Sequence, residues 1–281
     1  MSGLNFPSQL PTSLRSPYGG LSNPPTAERP LHVVLACSGS VASVKIPLIV
    51  EKLLSYQNVM IHVIPTDHAL HFWHPDELKD KISPFVQDVY GHICESINEP
   101  AGRPYSVNEL AQENKAGRST AFSEGDSSGY SSGLTGRRSS GGFKIWRDVD
   151  EWSSWKKVGD PVLHIELRRW ADVVLLAPCD ANTLAKLANG ICDNLLTSFF
   201  RALSPSTPTF IFPAMNTLMY EHPLTGQHLE ILQSTLGYEV HGPIPKQLAC
   251  GDIGQGAMFE WSDIAKLVVT RFGLVARARN Q

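Results

Sequence analysis

The residues best suited to ligand chemistry follow an apolar run at 173–177. A continuous run of this length without alternation predicts a parallel strand that is covered on both faces. Four small or hydrogen-bonding residues come soon after it: Asp180, Ala181, Asn182 and Thr183. Because the apolar spacing from Leu184 to Ala188 predicts a helix, we expect these four residues at its N-terminus, where anions and polar ring edges bind.

A second turn of small residues follows the strand predicted at 31–36. Gly39 in this turn permits close approach of a ligand to the backbone. Hydroxyls and N–H groups for a phosphate at the start of the next helix would come from Ser38, Ser40 and Ser43. The turn lacks the three-glycine dinucleotide fingerprint, and many α/β proteins have similar turns that bind nothing.

Two further polar residues come directly after predicted strands. Thr66 follows the strand at 59–65 and is either a ligand hydroxyl or a helix cap. Asn216 follows the strand at 208–212, so it lies at the carboxyl edge of the sheet, where ligands bind in such folds. Its alternative role is that of a turn residue or helix N-cap.

Cys250 lies in the segment 243–258, which has three glycines and little apolar content. This composition predicts a mobile lid. A thiol in such a loop is either inert or a proton donor over a bound substrate. The chain has five cysteines and no CxxC pair, which indicates neither a disulfide framework nor a zinc site, so no metal is expected.

Predicted strands alternate with helices along 31–275, which indicates one α/β domain. Residues 1–30 are rich in Ser, Pro and Gly and are predicted to be a disordered N-terminal segment. A low-complexity insertion at about 96–142 is predicted to be a structureless excursion from the surface, and 276–281 to be a tail.

The net charge of −3 gives no electrostatic case for binding to nucleic acid or to an anionic membrane. No apolar run reaches the length that crosses a bilayer, and the N-terminus has no hydrophobic stretch of the signal-peptide kind. We therefore expect a cytoplasmic protein without a membrane partner.

Five motifs in the order of the chain resemble those of phosphopantothenoylcysteine decarboxylases, which are homo-oligomeric flavin-containing cysteine decarboxylases. The resemblance runs from Leu31 to about Gly273 once the insertion is set aside. The motifs are Gly39-Ser40-Val41-Ala42, the segment LHIELRRWAD around His164, Asp180-Ala181-Asn182-Thr183, Pro213-Ala214-Met215-Asn216 and Ala249-Cys250-Gly251-Asp252.

The resemblance implies a Rossmann-like, flavodoxin-like three-layer sandwich with a six-stranded parallel sheet, a homotrimer, and FMN held near subunit contacts. The implied reaction is the decarboxylation of 4'-phosphopantothenoyl-L-cysteine to 4'-phosphopantetheine in coenzyme A biosynthesis. In the family, oxidation of the cysteinyl thiol end to a thioaldehyde-like species allows loss of CO2, and reduction by the flavin completes a redox-neutral reaction.

The resemblance also implies site residues. His164 matches the active-site histidine, suited to act as a base or to order the trimer site. Asn216 matches the residue that holds the substrate carboxylate, with Met219 in the same motif, and Cys250 matches the final proton donor. Residues implied to contact FMN are Gly39, Ser40, Val41, Thr66, Phe72, Asp180, Ala181, Asn182, Thr183 and Ala214. Some relatives have Ser at the position of Asp180.

Two alternatives use the same fold. Some fungal relatives are regulatory subunits that inhibit a protein phosphatase or work only in mixed trimers, and they carry a long acidic C-terminal tail. This chain ends at Gln281 with Arg277 and Arg279 nearby. It also keeps His164, Asn216 and Cys250, which favours an enzyme. Peptidyl-cysteine decarboxylases share the sheet and the flavin site.

Overall fold

The computed structural model describes residues 24–85, 107–119, 142–247 and 253–278. Eight strands lie in these ranges: β1 (Leu31–Cys37), β2 (Val59–Pro65), β3 (Phe143–Ile145), β4 (Val173–Cys179), β5 (Thr209–Pro213), β6 (Glu239–Val240), β7 (Ile244–Gln247) and β8 (Ile253–Ala257). The first six form one sheet in the order β3-β2-β1-β4-β5-β6. Every neighbouring pair in that sheet is parallel, which confirms the predicted six-stranded parallel sheet.

The described helices lie between and around these strands. They are α1 (Ile46–Leu54), α2 (Asp76–Ile82), α3 (Val107–Ser119), α4 (Asp148–Ser153), α5 (Leu163–Trp170), α6 (Ala181–Asn189), α7 (Leu195–Ala202), α8 (Thr217–Glu221), α9 (Pro223–Glu230) and α10 (Trp261–Phe272). Two short 3₁₀ turns, Val41–Lys45 and Ala69–His71, follow β1 and β2. None of the helices in the described ranges is long and apolar enough to cross a membrane.

The central strands are apolar because both faces of the sheet are covered. All seven residues of β4 are buried, as expected for a strand between two helical layers. Helices α1 and α10 pack on one face with the odd-numbered residues of β1, such as Val33. Helices α5, α6 and α7 pack on the other face with its even-numbered residues, such as Val34.

This arrangement opens a crevice at the carboxyl ends of β1 and β4. The two strands are neighbours, but the helix after β1 covers one face and the helix after β4 covers the other. Loops that leave adjacent strands in opposite directions leave a space between them, which is where open α/β sheets bind ligands.

Two expectations from the sequence are corrected by the fold. The strand predicted at 173–177 continues through Pro178 to Cys179. The insertion is not structureless throughout, because 107–119 is the helix α3, with Val107 and Leu110 buried. The amide of Asn114 in α3 also donates to Glu166 Oε2 at 2.7 Å. Composition alone did not reveal these contacts, which hold the helix α3 against α5. The remainder of 96–141 and most of 1–30 lie outside the described residues.

The described arms of the segment 243–258 are strands. These arms, β7 and β8, form an antiparallel pair, and the mobile lid stays a prediction. Two glycines of the segment permit close packing: a Cβ at Gly256 would lie 2.2 Å from the Met215 carbonyl oxygen, and one at Gly254 would lie 2.4 Å from Thr217 Oγ1. The strand β8 therefore lies directly against the chain that follows β5.

A cluster of ionisable and aromatic side chains lies beneath α5. The Trp170 ring stacks on His62 at 3.7 Å and on His32 at 4.3 Å between centroids. Burial lowers the pKa of His32 to about 4 and holds the pKa of His62 well below its usual value. Burial raises the pKa of Asp172 to about 7, although the His32 backbone N–H and Arg29 oppose this shift.

Candidate functional site

An open cavity of about 430 Å³ lies in the crevice beyond β1 and β4. Its lining combines three loops: Gly39 after β1, then His68, His71 and Phe72 after β2, then Asp180 and Asn182 after β4. The volume falls in the range that small-molecule and cofactor sites occupy. Four of the residues expected to contact FMN are therefore brought together here: Gly39, Phe72, Asp180 and Asn182.

Ser38 links the loops after β1 and β4 by hydrogen bonds. Its buried hydroxyl donates to the Pro178 carbonyl at 3.1 Å and accepts the Asp180 N–H at 2.8 Å. The Ser43 hydroxyl donates to the Ser38 carbonyl at 2.8 Å. The expectation that these two hydroxyls serve a phosphate is wrong, because both are buried and engaged within the protein; they hold the turn in shape.

Gly39 sits where the loops after β1, β2 and β4 meet. A Cβ at this position would lie 2.8 Å from the Cβ of His68 and 3.2 Å from Asp180 Oδ2. Real Cβ atoms essentially never come as close as the first of these distances. The requirement for glycine is thus steric, because any side chain here would push the three loops apart.

Asp180 is the N-cap of α6. Its Oδ1 accepts the Thr183 N–H at 2.6 Å, so one carboxylate oxygen already satisfies the first turn of the helix. The Thr183 side chain is buried and lies outside the cavity lining. Asn182, the second residue of the helix, is the neighbouring group that lines the cavity.

The loop after β2 supplies the aromatic side chains of the cavity lining. Phe72 is 36% exposed, which leaves a ring face available at the cavity. His68 and His71 line the same wall, with ring centroids 6.3 Å apart. Neither histidine was selected from the sequence, although both belong to the loop that begins at Thr66. The spacing of His68 and His71, three residues apart in this loop, was the sequence signal that could have identified them.

The other residues expected to contact FMN lie after β1, β2, β4 or β5 but do not line the cavity. Thr66 Oγ1 accepts the Ala69 N–H at 3.3 Å, and the N-cap residue of the turn Ala69–His71 is His68. Ala214 is buried, and its N–H donates to the Cys179 carbonyl. The cavity lining also excludes Ser40, Val41, Ala181 and Thr183.

Asn216 and Met219 lie after β5, on the next loop along the carboxyl edge. Asn216 is the N-cap of α8, and its Oδ1 accepts the Leu218 N–H at 2.9 Å. This hydrogen bond fixes the direction of the side-chain amide. Met219 is 49% exposed on the same short helix. The β7–β8 pair packs on this loop, where Met215 N–H donates to the Gly256 carbonyl at 3.0 Å.

Cys250 belongs to the connection between β7 and β8 and lies outside the described residues. Its role as a proton donor stays a prediction. Two other cysteines are poor candidates for such chemistry because they are buried: burial raises the pKa of the thiols of Cys37 and Cys179 well above the usual value.

His164 lies in the first turn of α5 and is not part of the cavity lining. Its Nδ1 lies 2.5 Å from Glu151 Oε1, and its backbone N–H donates to Glu151 Oε2 at 3.1 Å. Three-quarters of the imidazole is covered, with 25% of the side chain exposed. Glu151 was not anticipated from the sequence, because thirteen residues separate it from its partner.

Comparison with known proteins decides the family. The model named Flavoprotein matches residues 21–273, which is most of the chain. The chain belongs to the Flavoprotein family. A relative from Mus musculus named phosphopantothenoylcysteine decarboxylase is 37% identical over 244 residues, which cover 87% of this chain and 88% of the relative. A probable phosphopantothenoylcysteine decarboxylase of Arabidopsis thaliana is 57% identical over 137 residues, covering 49% of this chain and 67% of that one.

Solved structures of the family have the same fold. A PPC decarboxylase mutant complexed with pantothenoylaminoethenethiol superposes with a TM-score of 0.61 at 36% identity, covering 86% of this chain and 98% of that chain. Coverage is smaller for some longer relatives: the chain spans 29% of a Schizosaccharomyces pombe protein named probable thymidylate synthase. The resemblance inferred from the five sequence motifs is thereby confirmed.

Proposed function

We propose that this protein is an FMN-dependent phosphopantothenoylcysteine decarboxylase, which converts 4'-phosphopantothenoyl-L-cysteine to 4'-phosphopantetheine in coenzyme A biosynthesis. One observation carries the proposal: the similarity extends over nearly the whole length of a mouse decarboxylase and of a solved decarboxylase complex. Three of the five shared motifs, at 39–42, 180–183 and 213–216, lie at the carboxyl edge of the sheet, which supports the same conclusion.

The cavity fits a flavin by its own features. Gly39 leaves space that a Cβ would remove, Phe72 presents a partly exposed ring, and Asn182 adds an amide. Asp180 has a carboxylate, which disfavours a phosphate beside it, so we assign Asp180 to the ring end of the cofactor and not to its phosphate. Bound FMN would supply the reversible two-electron oxidation that makes loss of CO2 feasible.

The remaining site residues are proposed to have separate roles in the reaction of the substrate. Asn216, oriented by its hydrogen bond to the Leu218 N–H, would hold the carboxylate that leaves as CO2. Cys250 would donate the proton that completes the product. His164 would act as a base, because an imidazole can accept a proton near neutral pH.

The position of His164 outside the cavity lining supports an oligomeric site. A base that serves the cavity from this position would come from a second copy of the chain. We therefore propose a homotrimer in which each cavity is completed by a neighbouring subunit. The cytoplasmic location inferred from the sequence stays a prediction.

The function is tested with the purified full-length protein. The expected results are the visible absorbance of bound flavin, and CO2 release when 4'-phosphopantothenoyl-L-cysteine is added. His164→Asn should keep the flavin, because the cofactor contacts are assigned elsewhere, but should lose CO2 release. His228→Asn on α9 is the matched control and should behave as wild type. A colourless protein, or one that releases no CO2 from this substrate, would overturn the proposal.

Cys250→Ser separates the two halves of the reaction. A serine hydroxyl is a far weaker acid than a thiol, whose unperturbed pKa is about 8.5, so oxidation and CO2 release should continue while the final proton transfer stalls. Mass spectrometry of single-turnover mixtures should then show a product about two mass units below 4'-phosphopantetheine, the loss of two hydrogens. Full conversion to 4'-phosphopantetheine would remove Cys250 from the mechanism.

A further inference from the structure

The short helix α4 uses two carboxylates to hold the starts of two neighbouring helices. Asp148 Oδ1 accepts the Leu195 N–H at 2.5 Å, at the first residue of α7. Glu151 Oε2 accepts the His164 N–H at 3.1 Å, in the first turn of α5. Val162, the N-cap residue of α5, makes no side-chain capping bond, so Glu151 supplies the acceptor that this helix end needs.

Glu151 makes a second contact that Asp148 does not. Its Oε1 lies 2.5 Å from Nδ1 of the His164 ring. The carboxylate therefore faces two nitrogen atoms of one residue, a backbone N–H and a ring nitrogen. An ionised carboxylate only accepts hydrogen bonds, so both nitrogen atoms must donate.

This requirement determines where the ring proton lies. A neutral imidazole carries one proton, and the ring nitrogen without it is an acceptor. With the proton held on Nδ1 by Glu151, the lone pair is on Nε2. The hydrogen bond made by one ring nitrogen thus decides what the other can do.

We propose that Glu151 is a positioning residue that holds neutral His164 in the Nδ1–H form and so presents Nε2 as the base. The inference rests on the proposed function for its catalytic consequence, but the position of the proton is a property of the protein that can be measured without turnover. Glu151 acts through His164 and is not assigned a contact with the substrate.

Glu151→Gln distinguishes this role from simple helix capping. A glutamine has one acceptor oxygen and one NH2 donor. If the oxygen keeps the His164 backbone N–H, the NH2 group faces Nδ1, which must then accept; the ring proton moves to Nε2 and the base is lost. The helix cap survives this change, so a role confined to capping would leave the ring unaffected.

The experiment records two-bond ¹H–¹⁵N correlation spectra of the flavin-loaded protein labelled with ¹⁵N-histidine, over a pH series that reaches the neutral ring. His164→Asn identifies the signals of His164. Wild type should show the Nδ1–H pattern, and Glu151→Gln should shift the ring toward the Nε2–H pattern. CO2 release by Glu151→Gln should fall by about a hundredfold or more, the usual contribution of a positioned base, with flavin content unchanged.

Asp148→Asn is the matched control, since it alters the other capping carboxylate of α4 without removing the partner of His164; the His164 spectrum and CO2 release should match wild type. An Nε2–H pattern in wild type would overturn the proposal even if Glu151→Gln failed to fold. An unchanged spectrum or unchanged CO2 release in Glu151→Gln would also overturn it. Absence of CO2 release from wild type would instead reject the proposed function and leave the proton position to be decided by the spectra.

Discussion

Gly39→Ala tests whether the three loops of the cavity are held together as tightly as the structure indicates. The new Cβ would lie 2.8 Å from the Cβ of His68, whereas ordinary van der Waals contact begins at 3.4 Å. The gap must therefore open by about 0.6 Å. Because the opposing atom is the first carbon of a side chain, rotation cannot move it away, and the backbone of one loop must shift.

The cost of such overpacking is about 1–3 kcal/mol. For a protein of this size, about 1 kcal/mol lowers the melting temperature by roughly 2–4 °C, so we expect a decrease between about 2 and 12 °C. If the shifted loops weaken the flavin-bound state by a further ~1–3 kcal/mol relative to the apoprotein, the dissociation constant of FMN rises by roughly 5- to 150-fold. Thermal unfolding and fluorescence titration of flavin into the apoprotein measure the two effects.

Gly226→Ala is the matched control because the same change meets no atom within 4 Å there. Gly226 lies inside α9, where alanine is the better helix former by about 1 kcal/mol, so the melting temperature should rise slightly and FMN binding should stay as in wild type. Wild-type stability and FMN affinity in Gly39→Ala would refute the steric argument.

Two further predictions test parts of the fold outside the cavity. Leu110→Ala in α3 should lower the free energy of unfolding by about 2–5 kcal/mol in urea titrations, because Leu110 is fully buried. Asn108→Ala on the exposed side of the helix should change this free energy by less than about 0.5 kcal/mol. Equal, small effects of the two substitutions would mean that α3 does not pack on the domain. Asp172, whose folded pKa is about 7 against an ordinary 3.8, binds its proton more tightly in the folded state, so its contribution to stability is complete below about pH 4 and is lost as the pH rises through 7. The stability of wild type relative to Asp172→Asn should therefore fall by on the order of 4 kcal/mol across this range, and a constant difference between the two proteins would contradict the burial argument.

The central sheet could be predicted from the sequence because its signal is local. Apolar runs such as 31–36 and 173–177 indicate strands covered on both faces, and their alternation with helices indicates a parallel order. The turn residues after these strands were placed correctly at the carboxyl edge for the same reason. Gly39, Asp180 and Asn182 do line one cavity there.

Local patterns misjudged the segments that long-range contacts hold in place. The composition of 107–119 predicts no packed structure, yet Leu110 is buried and Asn114 is bonded to Glu166, 52 residues away. The sequence pattern of 243–258 also did not show that Gly256 is required for close contact with Met215. Propensity is a weak guide where tertiary neighbours decide the outcome.

The direction and partner of each polar side chain were decided only by the tertiary structure. The sequence offers the hydroxyl of Ser38 to a ligand, but Pro178 and Asp180, about 140 residues away along the chain, turn it inward. The same holds for His164, whose residue type indicates a base but whose ring Nδ1 faces Glu151, thirteen residues away along the chain. A sequence pattern reports which residues are polar and on which face they lie. The partner of a hydrogen bond depends on which segments the fold brings within about 3 Å of each other.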